Sequence, residues 1–214
     1  MHYSERKFTE VQQNWIDYFS GGKRRNSFWI SIAFLTIVLI ILPNFLQFVE
    51  TREGVVLEDP LLNLFRPVEV TWITFLIIYS SLTIAIVHFL KNPKLLHTAI
   101  LTYAFIAVFR MIAMYMLPLN PPNSILLLND PFVQLFGTGE ILTKDLFFSG
   151  HTSTLFMLFL ITKKKNKLKN IFLTGTIVVA VFVILQHVHY SIDVFAAPFF
   201  TFASYKTALF FIER

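Results

Sequence analysis

The chain lacks cysteine entirely, and it is poor in charged residues and in glycine. Of its 214 residues, 14% are charged and seven are glycine, whereas 55% are hydrophobic and 25 are phenylalanine. The absence of cysteine excludes disulfides and thiolate metal sites and leaves the redox compartment open. A soluble domain of this length usually carries far more charge. The composition, with a mean hydropathy of +0.63, is therefore typical of a polytopic membrane protein that forms one domain.

Six apolar stretches reach or approach the ~20 residues needed to cross ~30 Å of hydrocarbon. They lie at 28–48, 70–90, 97–117, 147–162, 171–188 and 192–211, and the fourth is short. Because every backbone polar group in lipid must be satisfied within its own segment, these spans are predicted to be helices. The expected fold is all-α: a six-transmembrane-helix bundle over 27–214, preceded by a cytoplasmic segment at 1–26.

The distribution of positive charge predicts the orientation of the chain. Twelve Lys and Arg residues lie in 1–26, 91–94 and 163–169, whereas the two acidic or long loops, 50–69 and 118–146, hold only Arg52, Arg66 and Lys144. Cytoplasmic loops carry such an excess, so both termini are expected in the cytoplasm. The net charge of +5 could suggest nucleic acid as a partner, but clusters between apolar runs argue against it.

The N-terminal segment is polar and does not resemble a cleavable signal peptide, so the first apolar run is expected to stay as a helix. Phe8, Val11, Trp15 and Phe19 recur at helical spacing before Gly21-Gly22. Two interpretations stay open: a short interfacial helix against the lipid headgroups, or a frayed tail. Among the histidines nearer the cytoplasmic side, His88 and His97 are expected to lie at the interface.

Four ionisable residues lie inside or at the edge of the spans: Arg110, His151, His189 and Asp193. Such residues are expensive in a membrane and often functional. The predicted topology places all four at the extracytoplasmic level, although they are far apart in sequence. His189 and Asp193 are four apart, so on a helix they would share a face and the carboxylate would orient the ring. His187 is six before Asp193 and lies off that face.

These residues favour a phosphate site. The turn at Ser149-Gly150 precedes a helix N-terminus, where backbone N–H groups can bind an anionic oxygen. Arg110 can add a bidentate contact to phosphate. Taken singly, each residue also has a structural explanation: an interfacial histidine, a helix-capping aspartate or an arginine paired within the bundle. Two further alternatives are a zinc site, which the nearby arginine disfavours, and a lipid carrier that binds a headgroup without cleaving it.

Three segments resemble motifs of the sphingomyelin synthase-like branch of the type 2 phosphatidic acid phosphatase (PAP2) superfamily. Asp145-Leu-Phe-Phe-Ser-Gly-His151-Thr152 is similar to the third motif, and His187-Val-His189-Tyr-Ser-Ile-Asp193-Val is similar to the fourth. Arg110 with the Leu117-Pro-Leu-Asn-Pro121 turn resembles the second. The first motif is only faintly echoed at Asp59-Pro60. The resemblance covers roughly 55–205.

The resemblance implies a lipid phosphotransferase or phosphohydrolase with a His-His-Asp triad and a phosphohistidine intermediate. His189 would be the nucleophile, Asp193 would orient it, and His151 would protonate the departing oxygen. Arg110, Ser149 and Gly150 would bind the phosphate, with Asp145 and Tyr190 in supporting positions. No metal or other cofactor is implied. The expected partner is a membrane lipid such as a phospholipid, ceramide or diacylglycerol, reached from the extracytoplasmic face of a plasma or inner membrane.

Two elements of the phosphatase branch are missing from the chain. That branch carries a Lys seven residues before an Arg-Pro pair and an Arg six before the catalytic His. Here Asp59 precedes Arg66-Pro67 by seven, and Val183 precedes His189 by six. These departures favour phosphodiester chemistry, either headgroup transfer or phospholipase C activity, over a phosphatidate-type monoester phosphatase.

Overall fold

The computed structural model describes residues 2–128, 142–163 and 166–213, with side chains from Glu10 onward. The side chain of Phe8, the stretch 129–141 of the predicted long loop and Lys164-Lys165 lie outside the described residues. Within the described ranges the α-helices are α1 (His2–Ser20), α2 (Gly22–Thr51), α3 (Thr71–Phe89), α4 (Pro93–Met116), α5 (Gly150–Ile161), α6 (Lys167–Leu185) and α7 (Ser191–Glu213).

The all-helical prediction is confirmed for the part of the chain that the structure describes. One 3₁₀ turn, Leu62–Leu64, and a single bridge pair between Val55 and Leu119 are the only other regular backbone there. The bridge brings two loops together at the end of the bundle, and Gly54 permits it. A Cβ on Gly54 would lie 2.7 Å from the carbonyl carbon of Leu119.

Five of the helices, α2, α3, α4, α6 and α7, are long and apolar enough to cross a membrane, as the sequence predicts. The fourth predicted span corresponds to α5, which has only 12 residues. At about 1.5 Å per residue it is about 18 Å long, which is shorter than the hydrocarbon layer. Ser149 caps α5 at one end and Thr162 ends it at the other, so the six-span count stays a prediction.

The short helix α5 lies at the centre of the bundle. It packs against α6 and α7 most extensively, and also against α4 and α3. The outer helices expose large apolar side chains, including Ile30, Trp72 and Phe199, as is required of surfaces that face lipid. The central position of α5 means that groups at its N-terminus are surrounded by other helices and loops.

The N-terminal helix α1 lies against the bundle at the end that we call the far end. The indole of Trp15 donates to the carbonyl of Leu90 in the α3–α4 turn at 2.9 Å. The Tyr18 hydroxyl lies 2.6 Å from His97 Nδ1, and Ser31 Oγ lies 2.8 Å from His97 Nε2. His97 is therefore 1% exposed, and the expectation that it lies at the interface is wrong. Helix α2 packs beside α4, so that Ser31 on α2 contacts Nε2 of the His97 ring.

The first spanning helix also begins earlier than the sequence predicts. Gly21 has an extended backbone, with φ −82° and ψ 109°, and α2 starts at Gly22. The basic run Lys23-Arg24-Arg25 therefore forms the first turn of the helix instead of a loop. Its charges lie at the far end, beside the turn that Trp15 contacts.

Candidate active site

Side chains from five places in the fold converge at the other end of the bundle, which we call the site end. Arg110 comes from α4, Asp145 from the segment before α5, and His151 from the first turn of α5. His189 lies in the turn between α6 and α7, and Asp193 lies in the first turn of α7. The four ionisable residues that the sequence predicted to share one level are thus at the same end of the bundle.

The pairing of His189 and Asp193 is direct. His189 Nδ1 lies 3.4 Å from Asp193 Oδ2, and the same oxygen accepts a hydrogen bond from the Tyr190 N–H at 3.0 Å. The His189 side chain is 2% exposed and that of Asp193 is 0% exposed. A buried carboxylate on one ring nitrogen fixes the tautomer and leaves the other nitrogen, Nε2, as the reactive atom.

This contact does not arise from a shared helical face, which was the basis of the prediction. α6 ends at Leu185 and α7 begins at Ser191, so His189 lies in the turn between them. The backbone reverses at His187, which has a positive φ of 56°. The Asp193 N–H then donates to the Tyr190 carbonyl at 3.1 Å, and this closes the first turn of α7. The spacing was right, but a turn creates the proximity.

The two histidines of the predicted triad face each other. The ring centroids of His151 and His189 are 6.3 Å apart, with an angle of 65° between the planes. The His151 ring also lies 6.0 Å from that of Phe75 on α3, which limits its movement on the opposite side. Both imidazoles are close enough to reach one small group placed between them.

Arg110 lies over the N-terminus of α5. Its Nε donates to the Phe148 carbonyl at 2.9 Å, and its Nη2 forms an ion pair with Asp145. A Cβ on Gly150 would lie 2.7 Å from Arg110 Nη1 and 2.8 Å from Cζ. Only glycine therefore lets the guanidinium approach this closely. Gly150, predicted to bind phosphate, makes room for Arg110 at the helix N-terminus.

Ser149, also predicted to bind phosphate, is fully buried. Its hydroxyl oxygen caps α5 by accepting from the Thr152 N–H at 3.4 Å, and its own N–H donates to the Asp193 carbonyl at 3.1 Å. The second bond ties the start of α5 to the start of α7. It thereby fixes His151 relative to the His189–Asp193 pair.

Tyr190, predicted as a supporting residue, points away from the histidine pair. Its hydroxyl donates to the Asn120 carbonyl at 2.8 Å and accepts from the Leu57 N–H at 3.2 Å. Burial raises the pKa of the Tyr190 phenol above its ordinary value, so it stays a neutral donor. The side chain holds two loops against the turn that carries His189.

His187, which the sequence placed off the reactive face, is buried in the same turn. Its Nδ1 lies 2.5 Å from Ser124 Oγ, and its ring packs edge-on against Phe65 at 5.1 Å. Burial lowers the pKa of this imidazole below its ordinary value, although the Asp59 carboxylate acts in the opposite direction. His187 therefore supports the turn as a neutral side chain.

Asp59 is an anchor that the sequence showed only as a faint motif. Its Oδ2 accepts from the Ser191 N–H at 2.6 Å, at the first residue of α7, and its Oδ1 accepts from the Leu61 N–H at 2.9 Å. Burial raises the pKa of this carboxyl, but the hydrogen bonds from Ser191, Leu61 and Leu62 outweigh it and hold the pKa below its usual range. Asp59 thus stabilises α7 beside Asp193.

A second anchor that sequence reasoning missed is Glu50, which had the appearance of an ordinary loop charge. Its Oε1 accepts from the Thr143 and Lys144 N–H groups at 2.5 and 2.6 Å, and its Oε2 accepts from the Thr143 hydroxyl at 3.1 Å. These bonds join the end of α2 to the segment that carries Asp145. No local pattern connects residues 93 positions apart, so the sequence offered no signal for this pairing.

An apolar cavity of about 340 Å³ adjoins Arg110 between α4 and α7. Its walls contain almost no polar surface. The lining residues are Phe109, Ile112, Ala113, Met116, Leu117, Phe147 and Phe200. Arg110 is not part of the lining, but Phe109 precedes it directly and Ala113 lies one helical turn after it on α4.

Comparison with known proteins finds a similarity in the C-terminal part of the chain. No curated protein sequence matches the chain. The family model described as PAP2 superfamily C-terminal matches residues 144–209, a range that includes Asp145, His151, His189 and Asp193. The match covers less than half of the chain, and it shows that this C-terminal part is similar to the PAP2 superfamily.

Proposed function

We propose that the protein is a membrane lipid phosphotransferase or phosphohydrolase that acts through His189, Asp193 and His151. The match to the PAP2 superfamily suggests an enzyme of the phosphatase type with lipid substrates. The observation that carries the proposal is the convergence of His189, paired with Asp193, on His151 and Arg110 at one end of the bundle. A nucleophile, an acid–base group and a phosphate-binding cation are the groups that phosphoryl transfer requires.

In the first step, His189 Nε2 attacks the phosphorus of the lipid phosphoester, and the bond to the leaving oxygen breaks. Asp193 accepts the hydrogen bond of Nδ1–H and stabilises the positive charge that develops on the ring. Protonated His151 donates its proton to the leaving oxygen, so a neutral lipid alcohol departs. The phosphoryl group remains on His189 as a phosphohistidine.

In the second step, neutral His151 removes a proton from an acceptor O–H, and the acceptor oxygen attacks phosphorus. The N–P bond to His189 breaks, and both histidines return to their starting states. Water as acceptor gives a phosphatase or a phospholipase C, whereas a lipid alcohol such as ceramide or diacylglycerol gives headgroup transfer. The reaction needs no metal, because Arg110 and the N-terminus of α5 supply positive potential at the phosphate.

The phosphate position follows from Arg110 and α5. The guanidinium of Arg110 packs against Gly150, the first residue of α5, and His151 is the next residue along the helix. The proposal places the phosphate at this helix N-terminus, within reach of Arg110 and His151. Ser149 contributes through the cap that orders this turn, not through its hydroxyl. Anions bind favourably at such a helix N-terminus.

The apolar cavity beside Arg110 supports a lipid as the substrate. It opens between α4 and α7, whose outer faces expose large apolar side chains such as Ile112 and Phe199. An acyl chain in this cavity would place its phosphoester at Arg110 without leaving the bilayer. A water-soluble phosphate ester would gain nothing from these walls.

Within the superfamily, we propose the sphingomyelin synthase-like branch and phosphodiester chemistry. The cationic elements of the phosphatase branch are missing at Asp59 and Val183, and the cation that the proposal uses is Arg110, which lies against the N-terminus of the helix that carries His151. A diester carries one negative charge, so less charge must be neutralised than for a monoester.

We place the site at the extracytoplasmic face of the membrane. The basic segments that predict the cytoplasmic side meet at the far end, where Trp15 bonds to Leu90 O and Asn166 lies 3.1 Å from His88 Nε2. The histidine pair lies at the opposite end. With an intact six-span bundle, both termini are cytoplasmic.

The test is lipid mass spectrometry after incubation of the purified protein with mixed phospholipids and ceramide, beside His189→Ala. Diacylglycerol together with a new ceramide phosphoester identifies a headgroup transferase. Diacylglycerol alone identifies a phospholipase C if a diester is consumed and a monoester phosphatase if phosphatidate is consumed. Unchanged lipid in both samples, with tight phospholipid binding, contradicts the catalytic proposal and favours a carrier.

A further inference from the structure

The charge of Arg110 is already balanced before any substrate binds. Asp145 forms an ion pair with Nη2, and the two side chains are 11% and 30% exposed. We infer that Asp145 determines the specificity of the phosphate site, because it holds Arg110 in place and cancels its charge, so that a singly charged phosphate is accepted over a doubly charged one. The inference rests on the proposed function, in which Arg110 binds the substrate phosphate.

Asp145 is one of three contacts that orient the guanidinium. The Phe148 carbonyl accepts from Nε at 2.9 Å, Asp145 accepts from Nη2, and the backbone of Gly150 lies below Nη1. A guanidinium has five N–H donors in a fixed planar fork. Nη1 has no hydrogen-bond partner among residues 2–128, 142–163 and 166–213, so its two donors remain for a bound phosphate at the N-terminus of α5.

The position of Asp145 is itself fixed. Glu50 accepts hydrogen bonds from the N–H groups of the two preceding residues, Thr143 and Lys144. The Lys144 ammonium points away from the site and donates to the Arg52 carbonyl at 2.6 Å. The segment therefore places the Asp145 carboxylate beside Arg110, whereas the Lys144 ammonium is bound to the Arg52 carbonyl.

The consequence for the substrate is electrostatic. A phosphodiester carries one negative charge, whereas a phosphate monoester carries about 1.5 to 2 at neutral pH. When the phosphate binds to Nη1, Asp145 remains on the same guanidinium, and the two anions repel each other. The repulsion grows with the charge of the phosphate, so the pair disfavours the monoester more than the diester.

Asp145 could instead serve only to position Arg110, and two substitutions separate the roles. Asp145→Asn keeps a carbonyl oxygen that can accept from Nη2 but removes the charge. Asp145→Ala removes both the acceptor and the charge. Glu58→Gln is the matched control, because Glu58 is an exposed carboxylate between α2 and α3 at the site end.

The experiment measures lipid binding in a background that cannot turn over. Each variant is combined with His189→Gln, and dissociation constants are measured at pH 8 in nanodiscs for phosphatidate, a monoester, and phosphatidylmethanol, a singly charged diester with the same acyl chains. Asp145→Asn is expected to lower the dissociation constant for phosphatidate roughly ten-fold, the effect of a moderate charge interaction. The dissociation constant for phosphatidylmethanol is expected to fall less than about three-fold. Asp145→Ala is expected to weaken both lipids, and Glu58→Gln to change neither.

Equal shifts for the two lipids in Asp145→Asn, or no shift at all, would overturn the inference. Because binding is measured without chemistry, this result is independent of whether His189 is a nucleophile. Turnover of the two lipids by the protein with intact His189 tests the proposed function separately. Absence of turnover together with the expected change in binding would contradict the catalytic proposal and leave the role of Asp145 standing.

Discussion

The two ends of the bundle each bury a histidine, and the two histidines are held in different ways. At the far end, His97 lies between two hydroxyl groups, those of Tyr18 and Ser31, and both ring nitrogens are engaged. The rings of Tyr18 and Phe28 pack edge-on against it at 6.1 and 5.4 Å. At the site end, His189 contacts a carboxylate through one nitrogen and faces a second imidazole.

Under the proposed function, this difference in partners is what separates a reactive histidine from a structural one. Hydroxyl partners on both nitrogens stabilise a neutral ring and leave no lone pair for chemistry. A carboxylate on Nδ1 instead raises the basicity of Nε2, which can then attack or accept a proton. Burial alone does not separate the two cases, since His97 is 1% and His189 is 2% exposed.

The largest expected effect is a loss of turnover on substitution of His189, and substitution of His97 is not expected to cause it. His189→Ala is expected to lower turnover per folded protein by about 10³-fold or more, because the nucleophile is removed. His97→Ala is expected to lower the Tm in detergent but to leave turnover per folded protein nearly unchanged. The measurement is lipid turnover normalised to the monodisperse fraction in size-exclusion chromatography. Comparable losses of turnover in both variants would contradict the proposed distinction.

Asp193→Asn tests the carboxylate that distinguishes the two histidines. The amide can still accept from the Tyr190 N–H, but it no longer stabilises the charged ring of His189. We expect kcat to fall by about 10²- to 10⁴-fold with little change in KM. Asp17→Asn at the far end is the control, because the exposed Asp17 carboxylate accepts a hydrogen bond from the exposed Gln13 amide and lies far from the site. A rise in KM at constant kcat would mean that Asp193 acts in substrate binding instead.

Gly150→Ala tests the close approach of Arg110 to α5. The new methyl group would lie within 3 Å of the guanidinium and force it away from the phosphate position. We expect kcat/KM to fall by about ten- to a hundred-fold, as for loss of one charged hydrogen bond in a site. The matched control is Gly175→Ala on α6, where the nearest atom would be 3.5 Å away, an ordinary contact. Equal activity of the two variants would show that Arg110 tolerates displacement.

The same comparison shows how far sequence patterns reach. Residue type and spacing identified His151, His189, Asp193 and Arg110, because ionisable residues in apolar runs stand out in a membrane protein. The hydropathy pattern likewise predicted six apolar spans, of which five are long apolar helices and the fourth is the short helix α5. Residue type, spacing and hydropathy are local properties of the sequence, so they can be read without knowledge of how the helices pack.

The contacts between distant segments were not predictable. His97 was expected at the interface, but α1 and α2 fold over it and supply Tyr18 and Ser31. Glu50 pairs with a segment 93 residues away, and Asp59 reaches the start of α7 over 132 residues. Tertiary packing decides such pairs, and neither side chain carries a local signal of its partner. For the same reason, the spacing of His189 and Asp193 predicted their contact but assigned it to a helix instead of a turn.

The smallest expected effect concerns the pH dependence of stability at the site end, through Asp59. The folded-state pKa of this carboxyl lies below its usual range, whereas the unfolded value is about 3.9. Asp59 therefore stabilises the fold above its unfolded pKa, and this contribution is lost as the pH falls through the folded value. Loss of the interaction in Asp59→Asn is expected to lower the Tm at pH 7 by about 3 °C, the shift typical of about 1 kcal/mol.

The Tm of the protein and of Asp59→Asn should therefore differ most near neutral pH. The two values should converge only as the pH falls below about 3.9 and through the lower folded-state pKa, where the native carboxyl becomes protonated. Glu58→Gln removes the neighbouring exposed carboxylate and is expected to show no such pH-dependent difference. A Tm difference for Asp59→Asn that stays constant from pH 7 to pH 3 would mean that Asp59 holds α7 through hydrogen bonds that do not depend on its charge.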